Sequence, residues 1–347
     1  MYFNVISDDG WIVNGYLIPD GFSSKPEIMV RADGVDYGPL PCDIFLEFPY
    51  KHRHHETGIV GFEINNYKIP DFGPGTILEV SDAETGLVFY RRMDPNKHLE
   101  KRVFRLETQM APHSELDRSL KPFFQFYADR VEQHGSETVR QMLEITNQRS
   151  TYVSGRVLLK NFQQYLPQET VKITSLRDPF YEFAIRLTTT SHYKNKSFPF
   201  LSSRDQSILR PAMDHFADLN LMDDRELTES IKSAPKDILA LFASPFTKQL
   251  VAASPTDPVD RDSLSRAMDV LSQFAVFDPD EIDDSFAQTI ADHLGIDRSH
   301  LQFRPVQASL KELADRLRNI PVLEHVLESD LILYFFVQKA KQRARLD

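Results

Sequence analysis

The sequence predicts a multidomain chain: an N-terminal antiparallel β-sandwich, then an α/β domain on a parallel sheet whose C-terminal half is helical. Three observations carry this expectation. Short β-rich runs separated by DDG, PDG, ADG, GPLP, DFGPG and AETG fill residues 1–95. Strand and helix patterns alternate from residue 102 onward, which implies right-handed crossovers between parallel strands. From about residue 203 the pattern is almost wholly helical. A length of 347 residues suits about two domains, here 1–95 and 96–347.

The sandwich strands are expected at 11–17, 26–31, 43–48, 59–64, 76–80 and 86–90, with a linker at MDPNKHLEKR, 93–102. Beyond it, RVFRLET (102–108) reads as a buried strand. Leu120, Phe123, Phe124, Tyr127 and Val131 share one face at helical spacing, with Pro122 in the first turn. A helix follows at 137–146, a strand at 151–154, a helix at 157–165, a strand at 170–175 and a helix after Pro179. One more strand is expected at 273–277. It precedes a helix that Asp278 caps, with Pro279 at its first position and Glu281 completing a capping box. The last helix, from about Val322, ends in KAKQRARLD, with cations at its negative end.

Composition bounds the function. With 41% apolar and 26% charged residues the chain is globular rather than disordered. A net charge of −11 argues against a nucleic-acid partner but leaves room for a local basic pocket. The single cysteine, Cys42, excludes an intrachain disulfide and has no paired His-Asn signature, so it reads as structural. The opening MYFNVISDDGWIV has no basic leader, and no run reaches the ~20 apolar residues of a membrane span. The expectation is a soluble, cytoplasmic protein, with a homo-oligomer left open.

Other chemistries fall away on their motifs. Gly-x-Ser-x-Gly, Gly-x-Gly-x-x-Gly and the Walker lysine motif are missing. In KHRHHETG (51–58), His52 and His54 would share a strand face and could hold a metal. Without a distant ligand set, a solvated loop is the better reading, and no metal is expected. The histidines' contact with an anionic glycan is a further option. FFQFY (123–127) reads as core rather than a base-stacking platform. DPDEIDD (278–284) lacks the glycine and terminal glutamate of a calcium loop.

The residues YVSGRVLLKNFQQYLPQETVKITSLRDPFYEFAIRLTTTSHY (152–193) resemble the nucleotide-binding core of carbohydrate sulfotransferases. The likeness continues through ASPFTKQLVA (243–252), SRAMDVLSQFAVFDPDEIDDSFAQTIADHLGI (265–296) and LESDLILYFFVQKA (327–340). GWIVNGYLIP, IMVRADGVDYG and ETGIVGFEI resemble a β-sandwich attached to bacterial polysaccharide-modifying transferases. The resemblance implies a P-loop-like fold and the donor phosphoadenosine phosphosulfate (PAPS) as co-substrate, with no metal. It further implies a carbohydrate or polysaccharide hydroxyl as acceptor. It places Arg177 on the donor's ribose phosphate, a task suited to a planar guanidinium. Asp178 would cap the next helix and Pro179 open it.

The donor loop departs from the family's Pro-Lys-Thr-Gly-x-Thr-Ser. Here it reads MAPHSELDRSL (110–120): His113 stands for the lysine, Ser114 for the threonine, and Asp117 and Arg118 for the Thr-Ser pair. The second cradle has Glu182 and Ile185 where the family has Arg and Ser, so Ser191 or Thr188 would have to supply the hydroxyl. Two readings follow. In the first, a divergent sulfotransferase uses His113 or Arg118 electrostatically and Glu115 or His113 as general base. In the second, the fold persists without a donor site and the protein binds glycan or scaffolds a polysaccharide pathway.

Overall fold

The computed structural model describes residues 1–145, 147–194, 196, 198–278 and 284–344. Eight strands form the N-terminal sandwich: β1 (Tyr2–Asp8), β2 (Val13–Ile18), β3 (Glu27–Ala32), β4 (Val35–Pro41), β5 (Ile44–Phe45), β6 (Ile59–Ile64), β7 (Leu78–Asp82) and β8 (Val88–Arg91). They make two antiparallel sheets, ordered β1-β2-β6-β5 and β4-β3-β7-β8. Alternation sets which face is inside: Phe3 and Val5 of β1, and Ile28 and Val30 of β3, are buried, and their neighbours are less so.

Five strands follow: β9 (Arg102–Leu106), β10 (Phe126–Ala128), β11 (Thr151–Gly155), β12 (Val171–Ser175) and β13 (Val276–Asp278). All neighbouring pairs are parallel, in the order β10-β11-β9-β12-β13. The first strand thus lies in the middle; the chain goes to one edge with β10, returns to fill the gap with β11, and then builds outward on the other side through β12 and β13. Central β9 is buried from Val103 to Leu106, as a strand covered on both faces must be. Val103, Tyr152 and Ile173 pack to one side of the sheet with Phe124 and Phe286, and Phe104, Leu106 and Val153 to the other.

That second face joins the sandwich directly. Phe3 and Phe89 lie in one apolar cluster with Phe126, Val139 and Leu143, the Phe3 ring 5.4 Å from Phe89 and 6.3 Å from Phe126. Side-chain amides seal the seam: Gln125 donates to Arg91 O at 2.8 Å, Gln148 to Phe89 O at 3.0 Å and Asn147 to Val5 O at 2.6 Å. The C-terminal helices form a further core around helix Pro179–His192, including Phe183, Phe216 and Phe242.

Several local expectations are corrected. The helix expected from Leu120 to Val131 is a short 3-10 turn, Lys121–Phe123, and then edge strand β10. Phe124 and Phe126 are buried as expected of core residues, but Phe124 joins the cluster on one face of the sheet and Phe126 the one on the other, which a single helix face cannot do. The helix expected at 157–165 is two 3-10 turns, Leu159–Asn161 and Gln163–Tyr165. In the sandwich, β1 lies where no strand was expected, and β4 runs through the GPLP turn material; the 43–48 run gives two strand residues and then helix Glu47–Lys51. The expected final helix is two, Pro321–Val326 and Glu328–Ala344. The Pro279 and Glu281 of the expected cap lie outside the described residues, and helix Asp284–Leu294 follows. No helix among the described residues is long and apolar enough to cross a membrane.

Candidate functional site

The C-terminal ends of β9, β11 and β12 deliver three connections to one rim: loop 107–113, the Gly155–Arg156 corner and the Leu176–Asp178 corner. Ligands of open parallel sheets bind at such rims. Beneath the loop lies a buried charged network. Arg105 donates from Nε and Nη2 to the two oxygens of Asp117 at 2.9 and 2.7 Å, and from Nη1 to Glu107 at 3.0 Å. Tyr152 accepts from Arg105 Nε at 3.0 Å and donates to Asp117 at 2.6 Å. Burial alone would raise the Glu107 carboxyl; Arg105, then His113, overcomes this and holds it well below the usual carboxylate range.

The loop's own backbone is engaged by carboxylates. Glu107 accepts the Gln109 N–H at 3.0 Å and the His113 N–H at 2.8 Å, and Glu182 accepts the Met110 N–H at 3.1 Å. Backbone N–H groups of such a loop are what a bound phosphate or sulfate would engage. Glu182 is fully buried, which pushes its pKa up against the pull of Arg186, whose Nε donates to it at 2.6 Å. The His113 ring lies 3.2 Å from Glu107 through Nδ1 and 3.4 Å from the Gln109 amide nitrogen through Nε2. With a proton on Nδ1, the Nε2 lone pair can accept from that amide.

Two cavities flank the loop. The first, about 300 Å³, is walled by Gln109, Pro112, His113, Arg177, Lys196 and Arg304, with Tyr181, Phe198 and Phe200. Its described wall contains no Asp or Glu. Arg177 lies over the Tyr181 ring, 5.1 Å from its centroid. The Thr188 hydroxyl on this wall is buried with no partner among the described residues. Asp178 caps helix Pro179–His192 through the N–H groups of Phe180 and Tyr181, with Pro179 in the first turn, and its carboxylate pairs with Arg318.

Arg177 and His113 therefore share one cavity. Glu115 and Arg118 face a separate open hollow with Asn96, Phe123 and His300. Ser114 opens helix Ser114–Leu120 and lines neither place. Ser191 is turned inward, its hydroxyl donating to Thr188 O at 3.1 Å. Helical phase explains the split: Arg118 lies five positions past the N-cap His113, a net turn of about 140° at about 100° per residue, so the two face apart.

The second cavity, about 460 Å³, lies on the loop's other side, between Met110, Glu132, Arg156, Arg186, Arg204 and Lys248. Arg156 donates from Nη1 to Met110 O at 2.8 Å and pairs with Asp205, and its backbone N–H reaches Glu132 at 2.8 Å. A Cβ at residue 155 would fall 2.7 Å from the backbone nitrogen of Val131, which accounts for the glycine. Burial raises the Glu132 pKa despite Arg156 and lowers that of His134 on the same wall. The resembling segments 152–193 and 243–252 take in Arg156, Arg186 and Lys248 of this wall without giving any of them a role. Glu132, Arg186, Arg204 and Lys248 come from distant segments and share no spacing that would announce them.

The histidine run is a loop. His55 is buried with Nε2 2.6 Å from Ser24 O, and the rings of His52 and His54 lie 4.6 and 5.6 Å from that of Phe48. Among the described residues no group of three His, Cys, Asp or Glu could hold a metal. Burial pushes the Cys42 thiol up to about 12, far from a nucleophile's range. Compared with known proteins, the chain matches no family model, no curated sequence and no solved structure.

Proposed function

We propose that this chain is a sulfotransferase-type fold given over to binding: a catalytically inactive module that holds carbohydrate in a polysaccharide pathway. The carrying observation is the engagement of the Gln109, Met110 and His113 N–H groups by the chain's own Glu107 and Glu182. A phosphosulfate brought to that loop would meet buried carboxylates of its own sign in place of open donors. Like charges about 4 Å apart in a protein interior repel by several kcal/mol. The resemblance in 152–193 and the middle position of β9 support the fold assignment.

A second reading, a divergent sulfotransferase, is favoured by the carboxylate-free wall carrying Arg177, Lys196 and Arg304. There PAPS would set its phosphates against the cations. The acceptor oxygen would form a bond to sulfur as the bond from sulfur to the donor's phosphate oxygen breaks in line. The hydroxyl proton would go to His113 Nε2, leaving adenosine 3′,5′-bisphosphate and needing no metal.

Calorimetric titration of the whole chain with adenosine 3′,5′-bisphosphate separates the two. The binding module gives no heat and no thermal shift at millimolar ligand. Micromolar binding that vanishes in Arg177→Ala overturns it in favour of the transferase.

A further inference from the structure

We propose that the cavity between Arg156 and Lys248 is a site for an acidic saccharide, a hexuronate-containing oligosaccharide whose carboxylate pairs with Lys248. The inference deepens the carbohydrate-binding reading and rests on it. Most of the charge on this wall is already answered from within: Arg156 by Asp205 and Arg186 by Glu182. Lys248 is different. Its Nζ donates to Ala240 O at 2.9 Å and, among the described residues, pairs with no carboxylate. Burial, then the neighbouring Arg186, lowers its pKa against the weaker pull of Asp330 and Asp257, neither of which pairs with it directly. Asp330 beneath it is occupied by Thr247 and the Phe246 N–H. Arg204, exposed at the rim, adds a second open cation.

The rest of the wall decides the class of ligand. Glu132 and Asp205 on the same surface disfavour two charges concentrated on one group, as on a dianionic phosphate, whereas an oligouronate carries a single charge on each ring. Asn161, Gln133 and Gln249 donate their amide nitrogens to backbone carbonyls, which leaves their amide oxygens and the exposed Ser203 as neutral groups beside Phe162 and Leu209. Hydroxyls with apolar ring faces between them fit that mixture. A volume of about 460 Å³ admits two or three sugar rings at most.

The test titrates the whole chain with trigalacturonate and with its methyl ester, which keeps shape and hydroxyls but removes the charge. Trigalacturonate binds, and Lys248→Gln weakens it at least about tenfold, down to the level of the ester. The ester binds both proteins alike. Arg204→Ala, at an exposed position that leaves the fold intact, weakens the acid about two- to threefold and flattens its salt dependence. Equal affinity for acid and ester, no effect of Lys248→Gln, or no binding of either ligand overturns the site. Adenosine 3′,5′-bisphosphate run in parallel keeps the two readings apart. If it binds through Arg177 while trigalacturonate binds through Lys248, the inactive-module reading falls and this site stands. If neither binds, this site falls and the self-occupied loop stands.

Discussion

Replacing Arg105 by Met removes the one guanidinium that neutralises two interior carboxylates while roughly keeping the volume of its stem. Glu107 and Asp117 are each 1% exposed, and Arg105 holds them through bonds of 2.7 to 3.0 Å. Breaking a buried ion pair from one side typically costs about 3–5 kcal/mol; with two carboxylates losing their cation and keeping the Gln109 and His113 N–H groups and the Tyr152 hydroxyl, the loss should reach the upper end. The pH dependence gives a sharper reading. In the native chain the Glu107 pKa is depressed, so its contribution to stability is full above the ordinary value of 4.5 and is lost as pH falls towards the folded value. In the variant, burial that Arg105 no longer offsets raises the Glu107 pKa, so acid protonates that carboxyl and the deficit against wild type shrinks from pH 7 to pH 5. Urea denaturation followed by circular dichroism across that interval reads both effects. A loss below about 1 kcal/mol, or one that ignores pH, would refute the account of this network.

Two further outcomes are expected. Asp330 is fully buried and burial raises its pKa to about 6 against the Thr247 and Phe246 donors. Its contribution is therefore present below the ordinary 3.8 and declines by roughly 3 kcal/mol as pH climbs to 6. Asp330→Asn removes that decline, so a wild-type-minus-variant difference in thermal midpoint that stays constant between pH 4 and 6 counts against it. Phe89→Ala, in the seam between sandwich and parallel sheet, should cost about 3–5 kcal/mol and leave one transition in calorimetry. Separate melting of the two units would show that the Phe3, Phe89 and Phe126 cluster does not couple them.

Parts of the site were legible in the residues. The Arg177-Asp178-Pro179 run reads as a strand end with a guanidinium, a cap and a first-turn proline, and in the fold Asp178 caps as its side chain requires. That His113 and Arg177 would meet follows from both lying just past parallel strands. Glu115 and Arg118 were placed by alignment to a motif, and a seven-residue helix turns both away, while Ser191, offered as a substitute hydroxyl, faces inward. Glu182 reads as a missing cation in the sequence; only in three dimensions is it the acceptor for the Met110 N–H.

The sequence by itself determined what depends on near neighbours: the sandwich with turns of Gly, Asp and Pro, the alternation that makes a parallel sheet, the caps and the cations of the last helix. Tertiary structure decided what depends on distant partners. The segment Phe126–Ala128 became an edge strand because β11 offered backbone donors and acceptors along its length, outweighing a helical spacing of aromatics. Loop 107–113 was closed to outside anions because carboxylates from residues 107 and 182 converge on its N–H groups, 75 positions apart in the chain. Lys248 lines a cavity with no ion pair of its own among the described residues for the same reason: charge balance is set by distance in space.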